Sequence, residues 1–153
     1  VSAFAGQLPH IDEHALVVEA SREVTWTALS RVVEGSVAAG AAPWVARILG
    51  CADTAAAGPR PLREGSALPG FHVAAAERPA ELALAGSHRF SNYALIFRLE
   101  QLGDGRTRVQ AETRAEFPQL KGAIYKGLVI GTRMHVLATR RILAGVKRNA
   151  ERS

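Results

Sequence analysis

The sequence predicts an α+β fold in which a curved antiparallel sheet wraps one long C-terminal helix. Three observations carry this expectation. An apolar stretch, His-Ala-Leu-Val-Val-Glu-Ala from His14, runs straight into a helix start at Ser21; strand signals dominate from Phe71 to Phe117; and the chain closes with an amphipathic segment from about Leu120 to Glu151. That order leaves a cavity between sheet and helix, so the functional question is what the cavity holds.

The elements follow in turn. Residues 1–11 carry no period and read as an irregular lead-in to a single domain spanning 1–153. The first strand is expected over about 12–20, ending where Ser21 and Glu23 offer polar groups to exposed helical N–H donors. Val24, Trp26, Leu29, Val32 and Val33 then sit near helical spacing. Gly35 is expected to end that helix with a left-handed cap. A second short helix is expected over 43–49, with Pro43 in its first turn and Gly50 beyond its end. Residues 50–69 contain Pro59, Pro61, Gly65 and Pro69 and read as loop, with a short edge strand around Leu62.

Strands are expected over 71–77, 81–90, 93–101 and 106–117. The last two are joined by Gly103-Asp104-Gly105, a tight-turn sequence between alternating segments. Alternation assigns faces. Thr107, Val109, Ala111, Thr113, Ala115 and Phe117 point inward, and Arg108, Gln110, Glu112, Arg114 and Glu116 form a solvated face. Tyr93, Leu95, Phe97 and Leu99 share the inward face, as do Leu82, Leu84, Gly86, His88 and Phe90 if no bulge intervenes. In the final helix Ile124, Leu128, Gly131, His135, Ala138 and Ile142 fall at steps of three and four. Gly122, Gly127, Gly131 and Gly145 lie in or beside it, and each interior glycine costs up to about 1 kcal/mol relative to alanine. Close approach of the sheet or of a ligand would account for them.

Composition narrows the function classes. With 153 residues, 48% hydrophobic and 22% charged, the chain can bury a real core. The formal charge of +5 is scattered along the strands beside glutamates and is concentrated only in the final helix, at Arg133, Arg140, Arg141, Lys147, Arg148 and Arg152. That distribution speaks against a nucleic-acid partner and fits cations at a helix C-terminus. The single cysteine, Cys51, excludes an intrachain disulfide and a cysteine-based metal cluster. No apolar run approaches the roughly 20 residues that span a bilayer. The chain reads as soluble and cytoplasmic, without stable membrane insertion; its oligomeric state is not legible.

The opening Leu16-Val-Val-Glu-Ala-Ser-Arg-Glu-Val-Thr-Trp26-Thr-Ala-Leu29, the strand-rich middle and the long closing helix resemble the START-like, or Bet v 1-like, superfamily, also called SRPBCC or polyketide cyclase-like. Gly86-Ser-His88-Arg89-Phe90-Ser91, Ala115-Glu-Phe117-Pro118 and Tyr125-Lys-Gly-Leu-Val-Ile-Gly131-Thr132 look like a subgroup of uncharacterised bacterial members. The resemblance runs from about residue 12 to the end. It implies the helix-grip fold and a deep cavity beneath the C-terminal helix, suited to an apolar or aromatic small molecule. It selects no single activity, because the superfamily includes carriers, receptors and cyclases.

An apolar guest in such a cup is held by burial, with a few polar groups fixing its orientation. The expected ligand-binding residues are His88, Arg89, Phe90, Tyr93, Leu95, Phe97, Thr113, Phe117, Tyr125, Leu128, Gly131 and His135. His88, Tyr93 and His135 are the catalytic candidates. His88 either orients a ligand carbonyl or acts as an acid or base, or it is a strand-end histidine satisfied by backbone, the favoured reading. A one-residue bulge would turn Arg89 inward and His88 outward. His135 faces the volume from the helix or is a core histidine. Tyr93 and Tyr125 are ligand donors or routine packing rings. Trp26 and Trp44 are packing residues.

No metal site is expected: His10 and His14 are four apart in strand and irregular structure, without a supporting carboxylate-histidine cluster. No cofactor motif, Gly-x-Ser-x-Gly, dinucleotide fingerprint or P-loop is present. The leading expectation is binding or transport of a small hydrophobic or amphipathic ligand. The alternative is a cyclase or dehydratase acting on an aromatic precursor, which requires His88 or Arg89, Tyr93 and His135 to converge. A third is a protein-interaction module at Arg140, Arg141, Lys147 and Arg148.

Overall fold

The computed structural model describes residues 3–40, 50–118, 123–124, 126–127 and 133–153. Its elements are α1 (Ala3–Gln7), β1 (His10–Val18), α2 (Arg22–Gly40), β2 (Ala67–Leu68), β3 (Phe71–Glu77), β4 (Glu81–His88), β5 (Ser91–Gln101), β6 (Thr107–Glu116) and α3 (Met134–Ala150). The six strands form one sheet in the order β1-β6-β5-β4-β3-β2, every neighbouring pair antiparallel. This curved sheet wraps the C-terminal helix, which is the helix-grip arrangement.

Local chemistry sets the hairpins. Between β5 and β6, Asp104 and Gly105 both take positive φ, at 63° and 72°. Asp-Gly tolerates that conformation at little cost. Between β4 and β5 a two-residue turn, Arg89 and Phe90, joins His88 to its partner Ser91. The Ser21 hydroxyl accepts the Val24 amide at 3.4 Å, so α2 begins where a serine cap was expected.

The core lies between the sheet's inner face and the two long helices. Phe97, Leu82, Leu84 and Val109 are fully buried on the sheet, Leu29 and Val33 come from α2, and Val146 from α3. Gly145 lets α3 approach α2: a Cβ there would lie 3.1 Å from Val32 Cγ1. Its close neighbour is therefore a helix, where the sequence led us to expect the sheet or a ligand.

Several boundaries differ from expectation. The lead-in contains α1, and β1 already begins at His10. Helix α2 continues through Gly35 to Gly40, because one interior glycine costs only about 1 kcal/mol and Ala38 and Ala39 follow within a turn. The edge strand falls at Ala67–Leu68, while Leu62 is a buried plug of the core. The closing segment is not one continuous helix: Arg133 has φ 54°, and α3 starts afresh at Met134. Ile124, placed on the inward stripe by spacing, is 72% exposed. The buried stripe of α3 passes through Thr139 and not Ala138, because the Thr139 hydroxyl donates to the His135 carbonyl at 2.9 Å and so can be buried. The expected helix at 43–49, with Trp44, lies outside the described residues.

The outer face is also partly covered. Ala5 and Leu8 pack on Ala83, Ala94 and Ile96. Arg114 donates from Nη1 to the carbonyls of Gly6 and Leu8 at 2.9 and 3.0 Å. Beneath this cover Glu112 is only 4% exposed, against the expectation of a solvated charged face. Burial alone would push its carboxyl up. Hydrogen bonds from Arg98 at 2.6 Å and from Arg114 at 2.6 Å, with His10 at 3.3 Å, outweigh that and hold it at about 2. At the sheet edge, Lys147 Nζ donates to the Val17 carbonyl at 2.8 Å and Glu151 Oε1 accepts the Glu19 amide at 2.9 Å.

Candidate functional site

The inner wall can be read directly from the strand register. One row runs Asp12, Thr113, Leu95, Leu84 across β1, β6, β5 and β4. The next runs His14, Ala111, Phe97, Leu82. On the other side of the first row, Ala115, Tyr93 and Gly86 are paired neighbours. Directly paired residues share a face, so all of these side chains face the helices.

At the hairpin end, β4 and β5 pair without a shift from Glu81 with Arg98 to His88 with Ser91. With no bulge, His88 faces inward and Arg89 lies exposed in the turn, against Gly50. His88 Nδ1 accepts the Phe90 amide at 3.1 Å, and its ring packs at 6.0 Å from Phe90 and 5.5 Å from Tyr93. Burial lowers its pKa, so the ring is neutral at neutral pH. The Tyr93 hydroxyl donates to the Gly70 carbonyl at 2.5 Å, and the ring meets Phe71 edge-on at 5.1 Å. That ring lies across Gly86. We expect Tyr93→Phe to keep the fold and lose about 1 kcal/mol, the net worth of one hydrogen bond, in denaturant unfolding.

A second group lies at the opposite edge of the sheet. His135 Nε2 meets Asp12 Oδ2 at 2.9 Å, and His14 Nε2 lies 3.5 Å from the same oxygen. The three side chains are 17%, 21% and 20% exposed, in the order His135, Asp12, His14. Asp12 Oδ1, His14 Nε2, His135 Nδ1 and Thr113 Oγ1 are all buried without a hydrogen-bond partner. Asp12 and His14 alternate onto one face of β1, Thr113 pairs with Asp12, and α3 brings His135 over them. A carboxylate holding one imidazole nitrogen orients the ring and leaves the other nitrogen available. Among the described residues no group of three or more His, Cys, Asp or Glu is arranged to hold a metal ion.

The structure therefore brings together two sets. His88, Phe90 and Tyr93 form one; Thr113 and His135 join the other. Strands β1 and β4 are three strand spacings apart, roughly 14 Å, so the acid-base pair of His88 and His135 is not assembled. Leu95 and Phe97 are buried core members of the wall, and Phe117 lies just beyond β6, partly exposed. Tyr125, Leu128 and Gly131 lie outside the described residues. Sequence reasoning missed Asp12 and His14; their spacing of two on a strand was the available signal.

The basic end of α3 is divided. Arg141 and Arg148 join Arg31 along an open groove of about 610 Å³ between α2 and α3. Lys147 is instead tied to Val17 and Glu151. No described helix is long and apolar enough to cross a membrane.

Comparison with known proteins bears on the fold alone. No protein-family profile and no curated protein matches the chain. Among solved structures, a conserved protein from Geobacillus kaustophilus is similar at 15% identity, with 92% of this chain and 95% of that one covered and a TM-score of 0.54. A protein from Arthrobacter aurescens aligns at 13% identity over 89% of this chain and 85% of its own, TM-score 0.54. Protein CV1439 from Chromobacterium violaceum aligns at 11% identity over 94% and 99%, TM-score 0.54. These likenesses and the topology agree on the helix-grip fold.

Proposed function

We propose that this protein binds a small hydrophobic or amphipathic molecule between the inner sheet face and α3, its polar end at Asp12, His14, Thr113 and His135. One observation carries the reading: four buried polar atoms on adjoining residues of this wall have no hydrogen-bond partner. Packing walls satisfy such groups, because each one left open costs about 1–3 kcal/mol. A guest, or water held in its place, supplies what is missing. Burial of the guest's body against Leu16, Ala111 and Leu95 adds roughly 25 cal/mol per Å² removed from water.

Native mass spectrometry of the purified protein, with the denatured mass as control, tests this. A reproducible extra mass that leaves on denaturation, or one acquired from added lipid-like or aromatic compounds, is the expected result. A clean apo mass throughout, after challenge with both classes, counts decisively against it. The second reading is proton-transfer chemistry of the cyclase or dehydratase kind. It is favoured by the Asp12-held imidazole of His135 with its open Nδ1. In that case an aromatic guest is recovered from the same experiment having lost water.

A further inference from the structure

We infer that the molecule this wall accepts carries a hydrogen-bond-donating head, an amine or an alcohol, on an apolar body, and that carboxylates are disfavoured. The inference rests on the binding reading above and adds the chemistry of the head group.

The argument is one of donors and acceptors. An ionised carboxylate only accepts. Asp12 spends Oδ2 on His135 Nε2 at 2.9 Å, and its Oδ1 remains buried without a donor. A neutral imidazole that donates from Nε2 carries its lone pair on Nδ1. His135 Nδ1 is also buried and open, and with the ring's proton on Nε2 toward Asp12 it is a second acceptor awaiting a donor. Thr113 Oγ1, on the strand position paired with Asp12, can rotate to give or to take. His14 Nε2, the fourth open atom, lies 3.5 Å from Asp12 Oδ2, so in the tautomer that protonates it the N–H faces that carboxylate and not a guest. Besides it the wall presents two acceptors and one adaptable hydroxyl. An ammonium or hydroxyl head fills it, and the ammonium gains the Asp12 charge as well. A carboxylate head brings only acceptors and would sit against a like charge with its own oxygens unpaired.

Long-range charge points the other way. The formal net charge of +5 draws anions to the protein as a whole. A preference for amines over acids of the same body would therefore come from the local wall.

The test uses two matched series on the full chain: dodecylamine, dodecanol and dodecanoate; and naphthylmethylamine, naphthalenemethanol and naphthoate. Binding is measured by calorimetry below micelle formation at about pH 8, above the ordinary imidazole range, with backbone amide shifts of Asp12, Thr113 and His135 reporting the site. The expected result is binding of amine and alcohol about tenfold or more tighter than acid in at least one series. The difference should collapse in Asp12→Asn, with the alcohol weakened in Thr113→Val, a change of similar shape that keeps the strand. The two variants' thermal unfolding is measured alongside, so that misfolding is not read as lost binding.

Acids that bind at this wall as tightly as amines overturn the head-group inference and leave the binding cup standing. An amine preference that persists undiminished in a folded Asp12→Asn also overturns it. Absence of binding across both series, or shifts confined to other surfaces, removes the cup reading together with the inference.

Discussion

Gly86→Ala is expected to destabilise the protein by about 3 kcal/mol, at the upper end of the range for overpacking a filled core. A Cβ at this position would be driven into the Gly70 carbonyl oxygen and would lie 2.6 Å from Tyr93 Cε2. Neither neighbour can yield cheaply. Gly70 holds the turn into β3 at φ 84°, and the Tyr93 ring is pinned by its hydroxyl to that same carbonyl. In thermal unfolding the change corresponds to a drop in Tm of about 6–12 °C. Combining it with Tyr93→Ala relieves the ring contact but not the carbonyl contact, so the pair should be less than additive. A Gly86→Ala protein within about 0.5 kcal/mol of wild type would mean that this end of the inner wall is not close-packed.

Glu112→Gln is expected to cost about 2–3 kcal/mol at neutral pH. The carboxyl sits at about 2 in the folded chain, against an ordinary value of 4.5. A folded pKa below the unfolded one means that the stabilisation is complete above about 4.5 and is lost as the pH falls toward 2. The wild type and the glutamine variant should therefore differ most at neutral pH and converge on acidification. The cost stays below that of stripping a fully buried pair. Arg98 keeps Glu81 at 3.1 Å, and Arg114 keeps the carbonyls of Gly6 and Leu8. Denaturant midpoints of both proteins across that pH range would show the convergence; a difference independent of pH would refute it.

How much of this was legible in the sequence depends on where each signal is stored. The β5–β6 hairpin was readable because Asp104-Gly105 and the flanking alternation are local. Helix α1 was not, since five residues without a period become a helix only by laying Ala5 on the outer face. The end of α2 was misread at Gly35, where space is open and the glycine serves no cap. His135 stood out as a polar residue on an apolar stripe. Its partner Asp12 did not, because β1 carries His10, Asp12, Glu13 and His14 on both faces and its alternation is blurred. Glu112 looked solvated for the same kind of reason: the cover supplied by Leu8 comes from 104 positions earlier in the chain.

The contacts of α3 with β1 bear on how this protein behaves in a crowded solution. An unpaired strand edge is a template on which a stray strand can grow. Here Lys147 occupies the Val17 carbonyl and Glu151 the Glu19 amide, while those two side chains hold each other at 3.0 Å. An incoming strand would have to evict an ion pair from that end before adding a single rung. At the far edge β2 is two residues long and offers little to copy. One margin is thus guarded by charge at its Val17 end, and the strand that closes the other is guarded by brevity.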